Sequence, residues 1–354
     1  MSEPIQPGPW PRATEAEFGP PPAGTFRVTP EDFVVEEVLG FAPEGEGEHL
    51  WLWIEKRELT TLEVARHLAR VCAVSERAVG YSGMKDRVAI TRQWFSVHLP
   101  GQPAPAELSA TLQASGIQLL EQARHPRKLK RGVHRANRFV LRISGAAVNA
   151  TLETRWAWLC QHGVPNLFGM QRFGPHGRNL VRAQALLARG WRKRDDRQGM
   201  LLSTARSFLF NELLALRIAD GSWQRLVPGD VAILDGTASQ FSVAELDDEL
   251  SARAERLDLH PSGVMWGTGS SRATGVAREF EQVVTERHAG LCQGLERAGV
   301  AMARRALRMR LEQPQLTLAG NGARLEFQLP RGGFATAVLH ELLDDTQGGP
   351  NVFT

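Results

Sequence analysis

The chain has 354 residues, 42% of them apolar and 23% charged, which excludes a disordered chain and allows two domains with substantial cores. Its net charge of +3 is a mild basic excess, and Cys72, Cys160 and Cys292 lack C-x-x-C spacing, which excludes a disulfide framework and a cysteine zinc site. No basic leader with an apolar segment opens the chain and no apolar run could span a bilayer, so a soluble cytoplasmic protein with no membrane partner is expected.

Residues 1–24 hold seven of the twenty prolines, which bars a regular helix or interior strand and predicts an extended arm, laid over the surface or partly mobile. The second half of residues 26–38 reads as a strand, with Pro30 at an edge or bend, and Leu50-Trp51-Leu52-Trp53-Ile54-Glu55-Lys56 as another. Thr60 and Glu63 have capping-box spacing, and Leu62, Ala65, Leu68, Ala69 and Cys72 would share one face of the helix that follows. Ala78-Val79 then runs into Gly80-Tyr81-Ser82-Gly83-Met84-Lys85-Asp86-Arg87. Its glycines are read as permitting backbone angles that other residues avoid, so that the turn presents one acid, Asp86, between two cations. On pattern alone a charged surface hairpin looks the same. A strand over 93–99, a helix near 104–114 and a strand at 117–120 continue an α+β alternation.

The segment from Arg124 to Arg138 carries seven Lys/Arg and no acid, against a whole-chain excess of three. A like-charge run is usually a solvated loop, but this excess is local, and Arg127, Lys128, Lys130, Arg131 and Arg135 are read as a nucleic-acid contact. Four phosphate contacts would give single-strand binding a log–log salt slope of about −3. An alternating strand over 139–145 would plant the patch on a sheet edge. A helix at 151–160 and a boundary at His162-Gly163-Val164-Pro165 precede the loop Asn166-Leu167-Phe168-Gly169-Met170-Gln171-Arg172-Phe173-Gly174. Helices at 179–189 and 200–218 flank Trp191-Arg192-Lys193-Arg194, which reads equally as solvated loop or RNA contact. Beyond lie a short strand at 231–234, an acidic helix at 243–257, a glycine-laden loop at 261–269 and a helix at 275–290. A second concentration of cations follows at 302–311, then a hairpin about Gly320-Asn321-Gly322, and a last helix opened by Arg331-Gly332-Gly333-Phe334.

No H-E-x-x-H, Cys/His zinc spacing, P-loop, dinucleotide fingerprint or G-x-S-x-G elbow is present, so no metal and no cofactor is expected. What remains is an acid on a glycine turn beside a basic surface. An aspartate has a reference pKa of about 3.9 and a nearby cation lowers it, so Asp86 is expected to be ionised and suited to nucleophilic work.

The Gly-x-Lys-Asp turn with Thr91-Arg92-Gln93 resembles the tRNA pseudouridine synthase D (TruD) family. Along the chain, Pro30-Glu31-Asp32-Phe33-Val34-Val35-Glu36-Glu37, Asn137-Arg138-Phe139, the 166–174 loop, Arg206-Ser207-Phe208-Leu209-Phe210-Asn211 and Phe334-Ala335-Thr336-Ala337-Val338-Leu339 resemble further family motifs in the right order. The resemblance implies an α+β fold: a pseudouridine-synthase core with a mixed, mostly antiparallel sheet, and an inserted α+β domain completing a V-shaped pair. Here the core would be 25–159 with 310–354, the inserted domain 160–309, and 1–24 the arm. The implied partner is tRNA, and the implied reaction is isomerisation of uridine 13 in the D arm.

That reaction detaches uracil at N1 and rejoins it through C5, so the nucleotide must leave its stack. The resemblance implies Asp86 as the essential acid, attacking C1′ or drawing a ribose proton, with Arg27 as its basic partner where the family usually has lysine. An arginine there could pair bidentately with the carboxylate. Phe33, Asn137 and Phe334 match positions that hold the flipped nucleotide. Phe139 stands where related families have a tyrosine, so it offers no hydroxyl base. Lys85 and Arg87 are expected as backbone or phosphate contacts rather than partners of Asp86. A non-catalytic tRNA-binding or folding module is the competing reading, with a metal-dependent nuclease third. With no heptad or exposed apolar stripe, a monomer is expected.

Overall fold

The computed structural model describes residues 5–196 and 199–344. Residues 1–4 of the expected arm, Pro4 included, and 345–354 of the expected core lie outside the described residues. The arm is built in rather than laid over the surface. Trp10 and Ala13 are buried, and a four-residue helix α1 (Glu15–Phe18) follows them. Prolines bar ladder pairing, but side chains satisfy this backbone instead. Ala13 and Thr14 N–H groups donate to the Glu341 carboxylate at 3.1 and 2.9 Å, and Arg155 donates to Thr14 Oγ1 at 2.8 Å.

The strands β1 (Thr25–Phe26), β2 (Phe33–Val38) and β3 (His49–Arg57) lead to helix α2 (Thr61–Val71). Its capping box forms as expected: the Glu63 N–H donates to Thr60 Oγ1 at 3.2 Å, and the Thr60 N–H to the Glu63 carboxylate at 2.6 Å. The buried face carries Val64 in place of Leu62, which is 39% exposed. Strands β4 (Val79–Tyr81) and β5 (Ile90–His98), helix α3 (Leu108–Gln113) and strands β6 (Ile117–His125) and β7 (Ala136–Ser144) follow. The basic run is thus a loop with both ends drawn into strands. After helix α4 (Ala150–His162) comes the short strand β8 (Val164–Pro165).

Helix α5 (Arg178–Arg189) packs on α6 (Met200–Ala219), which in turn packs on a second sheet made of β9 (Val231–Leu234), β10 (Gln240–Ser242), β11 (Leu259–Met265) and later β12 (Ala303–Ala306). Between these strands lie α7 (Asp248–Glu255), α8 (Gly275–Arg287) and α9 (Ala289–Arg297). Three expectations are corrected here. The glycine-laden loop at 261–269 is mostly β11, because a Cβ on Gly263 would lie 2.9 Å from Leu213 and Leu307 side-chain carbons. Glycine there serves close packing of α6, not a turn. The acidic helix expected at 243–257 shrinks to α7, capped at its start by the Asp247 side chain and ended before Leu257, whose φ is 64°, and the helix expected at 275–290 is two.

The chain returns through β13 (Arg308–Met309), which pairs with β8, to β14 (Glu312–Ala319), β15 (Gly322–Pro330) and helix α10 (Ala335–Leu342). The large sheet has nine strands in the order β14-β15-β7-β2-β5-β3-β6, with β1 on β7 and β4 on β5. Only β2 and β5 pair in parallel, so the α+β class and the mixed, mostly antiparallel sheet are as expected. One apolar cluster joins Phe33, Phe139, Leu141 and Phe327 of this sheet to α4, α10, α5 and α6, and so fixes the sheet against the second unit. No helix among the described residues is long and apolar enough to cross a membrane.

Candidate active site

Strand β4 pairs with β5 and delivers the chain into the loop that carries Asp86. Neither Gly80 nor Gly83 adopts a positive φ, so the backbone-angle explanation is corrected. A Cβ on Gly80 would stand 2.4 Å from the Leu129 carbonyl oxygen and 2.6 Å from Ser96 Oγ. Glycine is needed so that the basic loop can lie against this strand. That loop is pinned by Leu129, which is buried, and by the Gly132 N–H, which donates to the Ser82 carbonyl at 2.8 Å.

The Asp86 loop is gripped at successive residues. Gln93 donates to the Gly83 carbonyl at 3.0 Å, and the Lys85 N–H donates to Thr61 Oγ1 at 2.9 Å. Lys56 Nζ donates to the Asp86 carbonyl at 2.8 Å, and Arg87 donates to the Glu58 carbonyl at 3.0 Å. Lys85, expected as a phosphate or backbone contact, turns inward: its ammonium lies 3.2 Å from Glu37, whose side chain is fully buried. Burial pushes the Glu37 carboxyl up, and Lys85 opposes that shift. Arg87 stays exposed.

The Asp86 side chain is 38% exposed, and its Oδ2 accepts one hydrogen bond at 2.7 Å from Arg27 Nη2. The bidentate pairing an arginine could have made is not formed. The same guanidinium lies flat over Phe33, 3.6 Å from the ring centroid, while Arg27 Nε is buried without a partner. Arg27 holds this position from a left-handed backbone, φ 57°. Burial lowers its pKa, and the Asp86 carboxylate works against that.

Asp86, Arg27, Phe33, Asn137, Phe139 and Phe334 line one cavity of roughly 270 Å³. Phe139 meets Phe33 edge-on at 6.3 Å and stacks on Phe327 at 5.5 Å. Asn137 Oδ1 is buried with no partner. An unmatched buried acceptor is unfavourable in the empty protein, and a donor on a bound molecule would satisfy it. Phe334 comes from the far end of the chain and rests against Phe168 at 5.6 Å. Arg305 Cζ sits 4.2 Å above Phe168, and Arg305 donates to the Gly332 carbonyl at 3.0 Å, so the 166–174 loop and the 331–334 turn are held together.

Several lining or supporting groups were not singled out from sequence: Lys56, Glu37, His134, Gln171 and Arg305. For Lys56 the signal was present, since alternation along β3 puts it on the face of Leu52 and Ile54. His134 Nδ1 lies 2.6 Å from Ser82 Oγ, and burial, with Lys85 and Arg331 adding to it, lowers its pKa to about 4, so the ring is neutral at neutral pH. Of the basic loop, Arg127, Lys130, Arg131 and Arg135 are exposed, and Lys128 donates to the Arg77 carbonyl. Arg131 also reaches Tyr81 OH at 3.1 Å, and Arg135 pairs with Glu312 at 3.2 Å. Among the described residues no group of three or more His, Cys, Asp or Glu could hold a metal ion.

A family model described as tRNA pseudouridine synthase D (TruD) matches residues 18–194 and 194–342. A Chromohalobacter salexigens protein named tRNA pseudouridine synthase D is 58% identical over 346 residues, 97% of this chain and 99% of that one. One of the same name from Methylococcus capsulatus is 45% identical over 93% of each chain. A crystal structure assigned to tRNA pseudouridine synthase D of Methanosarcina mazei shares the fold, with TM-score 0.68 at 20% identity over 96% of this chain and 95% of that one.

Proposed function

The chain belongs to the tRNA pseudouridine synthase D family, and on that premise we propose that it converts uridine 13 in the D arm of tRNA to pseudouridine, with Asp86 as the essential acid. The observation that carries this is the Arg27–Asp86 pair at a cavity whose lining includes three phenylalanine rings and an unpartnered Asn137 Oδ1. Such a lining suits a single unstacked nucleotide. Phe334, the one ring of the three that is not buried, offers a face to a base, worth about 1–3 kcal/mol per stacked base. Phe33, covered by Arg27, and Phe139, stacked on Phe327, are buried walls, and Asn137 offers an acceptor to a donor such as an imide N–H.

In the reaction the N1–C1′ bond breaks, the uracil turns, C5 bonds to C1′, the C5 proton leaves to solvent and N1 takes up a proton, so the product is an isomer of the substrate. Asp86, paired with Arg27, either adds to C1′ or takes a ribose proton to start the cleavage. Phe139 has no hydroxyl and serves as a wall. The exposed cations of the basic loop, anchored on the same turn as Asp86, take phosphates of the flanking strand. Arm 1–24, core 25–159 with 310–354 and insertion 160–309 is the domain division that goes with this function, its boundaries falling near the β8–β13 pair. The enzyme would act in the cytoplasm as a monomer.

Pseudouridine mapping on unmodified tRNA transcripts tests the proposal. A single new pseudouridine at position 13, absent from a transcript with cytidine there, is expected. Modification at another position with 13 untouched would overturn the site assignment, and no modification of any tRNA would overturn the activity.

A further inference from the structure

Alternation along β3 puts Leu50, Leu52, Ile54 and Lys56 on one buried face. The first three pack into the cluster under α2, but Lys56, only 1% exposed, brings a charge to the same layer. Burying an ammonium without a counter-charge is unfavourable, and among the described residues Lys56 makes no ion pair. Its ammonium instead donates to two main-chain carbonyls, Leu59 at 2.6 Å and Asp86 at 2.8 Å. Gln93 and Thr61 hold the loop at Gly83 and Lys85. Among the described residues, Lys56 is what holds the main chain of Asp86 itself.

We propose that Lys56 is a positioning residue for the isomerisation, fixing the Asp86 main chain so that the carboxylate meets the flipped nucleotide in one orientation. This rests on the reading of Asp86 as the essential acid. A charge-assisted bond to the carbonyl of the reacting residue resists the small displacements that slow a positioned reaction most. Geometry and charge act together here. Burial brings the Lys56 pKa down to about 8, with the carboxylates of Asp86 and of Glu63 on α2 raising it and Lys85 lowering it. Arg27, on the other side of Asp86, and Arg87, next in the loop, are the other cations beside this residue. Above about pH 8 Lys56 therefore holds the Asp86 carbonyl without its charge, and the positioning weakens.

The test is single-turnover rate and tRNA affinity for the full chain with Lys56→Met, Lys56→Arg and Asp86→Asn. Lys56→Met should lower the rate by about 100-fold while tRNA affinity stays within about twofold, since the phosphate-binding cations lie elsewhere. Lys56→Arg keeps a charge that does not titrate. It should recover part of the rate and lose the alkaline fall expected of wild type near pH 8. Wild-type rate in Lys56→Met, or equal loss of rate and affinity, would overturn the proposal. If Lys56→Met does not fold, wild type decides alone: a rate that stays flat through about pH 9 contradicts the positioning role. Activity persisting in Asp86→Asn would instead overturn the reading of Asp86, whatever the Lys56 variants do.

Discussion

Arg27 has two contacts at once, an ion pair to Asp86 and a flat stack on Phe33, and it makes them from a left-handed backbone position. Because only one nitrogen reaches the carboxylate, a lysine could keep the charge while giving up the stack. Arg27→Lys should therefore retain activity within about tenfold of wild type, whereas Arg27→Met should lower kcat by about 100-fold, roughly 2.7 kcal/mol of transition-state stabilisation. Steady-state kinetics on tRNA checks this, and equal kinetics for the two variants would remove the charge argument. At this scale Asp86 could be singled out only because its turn resembles a family motif, since on pattern alone a charged hairpin looks the same. Lys85 and Lys56 were misjudged or missed because sequence shows a charge but not the direction in which it points. Both ammoniums turn inward, one to Glu37 and one to backbone carbonyls.

Elements with a clear period or cap were legible: β2, β3, α2 and the β14–β15 hairpin all formed close to where alternation, the Thr60 box and Gly-Asn-Gly placed them. Strand β11 was not, because it is buried along nearly its whole length and its glycine answers to the packing of α6. The cations of 302–311 were visible as a cluster but not as interior. Arg304 pairs with Glu281 at 3.0 Å and Arg308 is buried against backbone carbonyls. Helix α10 shows what such burial does to stability. His340 Nε2 is buried without a partner, and burial, reinforced by Arg12 and opposed by backbone bonds to Trp10 and Pro11, lowers the His340 pKa to about 4. The folded chain thus keeps this ring neutral where an unfolded histidine is already protonated. Its contribution is full above about pH 6.5 and is lost as pH falls towards 4, with a slope of up to about 1.4 kcal/mol per pH unit. His340→Gln should show a correspondingly shallower decline in denaturation free energy over that range, and parallel curves for the two proteins would contradict it.

Across the whole molecule, chain ends and middle converge on one place. The arm ties to α10 through Glu341 and to α6 through Trp10, which donates to Glu212 at 3.1 Å. Phe334 from near the C-terminal end, backed by Phe168 from the central segment, lines the cavity that Asp86 also lines. Proline content signalled an arm but could not reveal that its aromatic and polar side chains are buried partners of the core. The basic loop is exposed beside this cavity, so removing its charge should weaken binding without altering the chemical step. Replacing Arg127, Lys130 and Arg131 with glutamine should flatten the log–log salt dependence of tRNA affinity by about 0.7–0.9 for each phosphate that is no longer neutralised, with kcat at saturating tRNA unchanged. An unchanged slope would place the phosphates elsewhere. The most direct measurement of the central claim is tritium release from C5-labelled uridine in tRNA by wild type and Asp86→Asn, with tRNA affinity measured in parallel. Wild type should release tritium and Asp86→Asn should bind tRNA with little loss yet release none. Release by Asp86→Asn at a rate near wild type would contradict the assignment of Asp86.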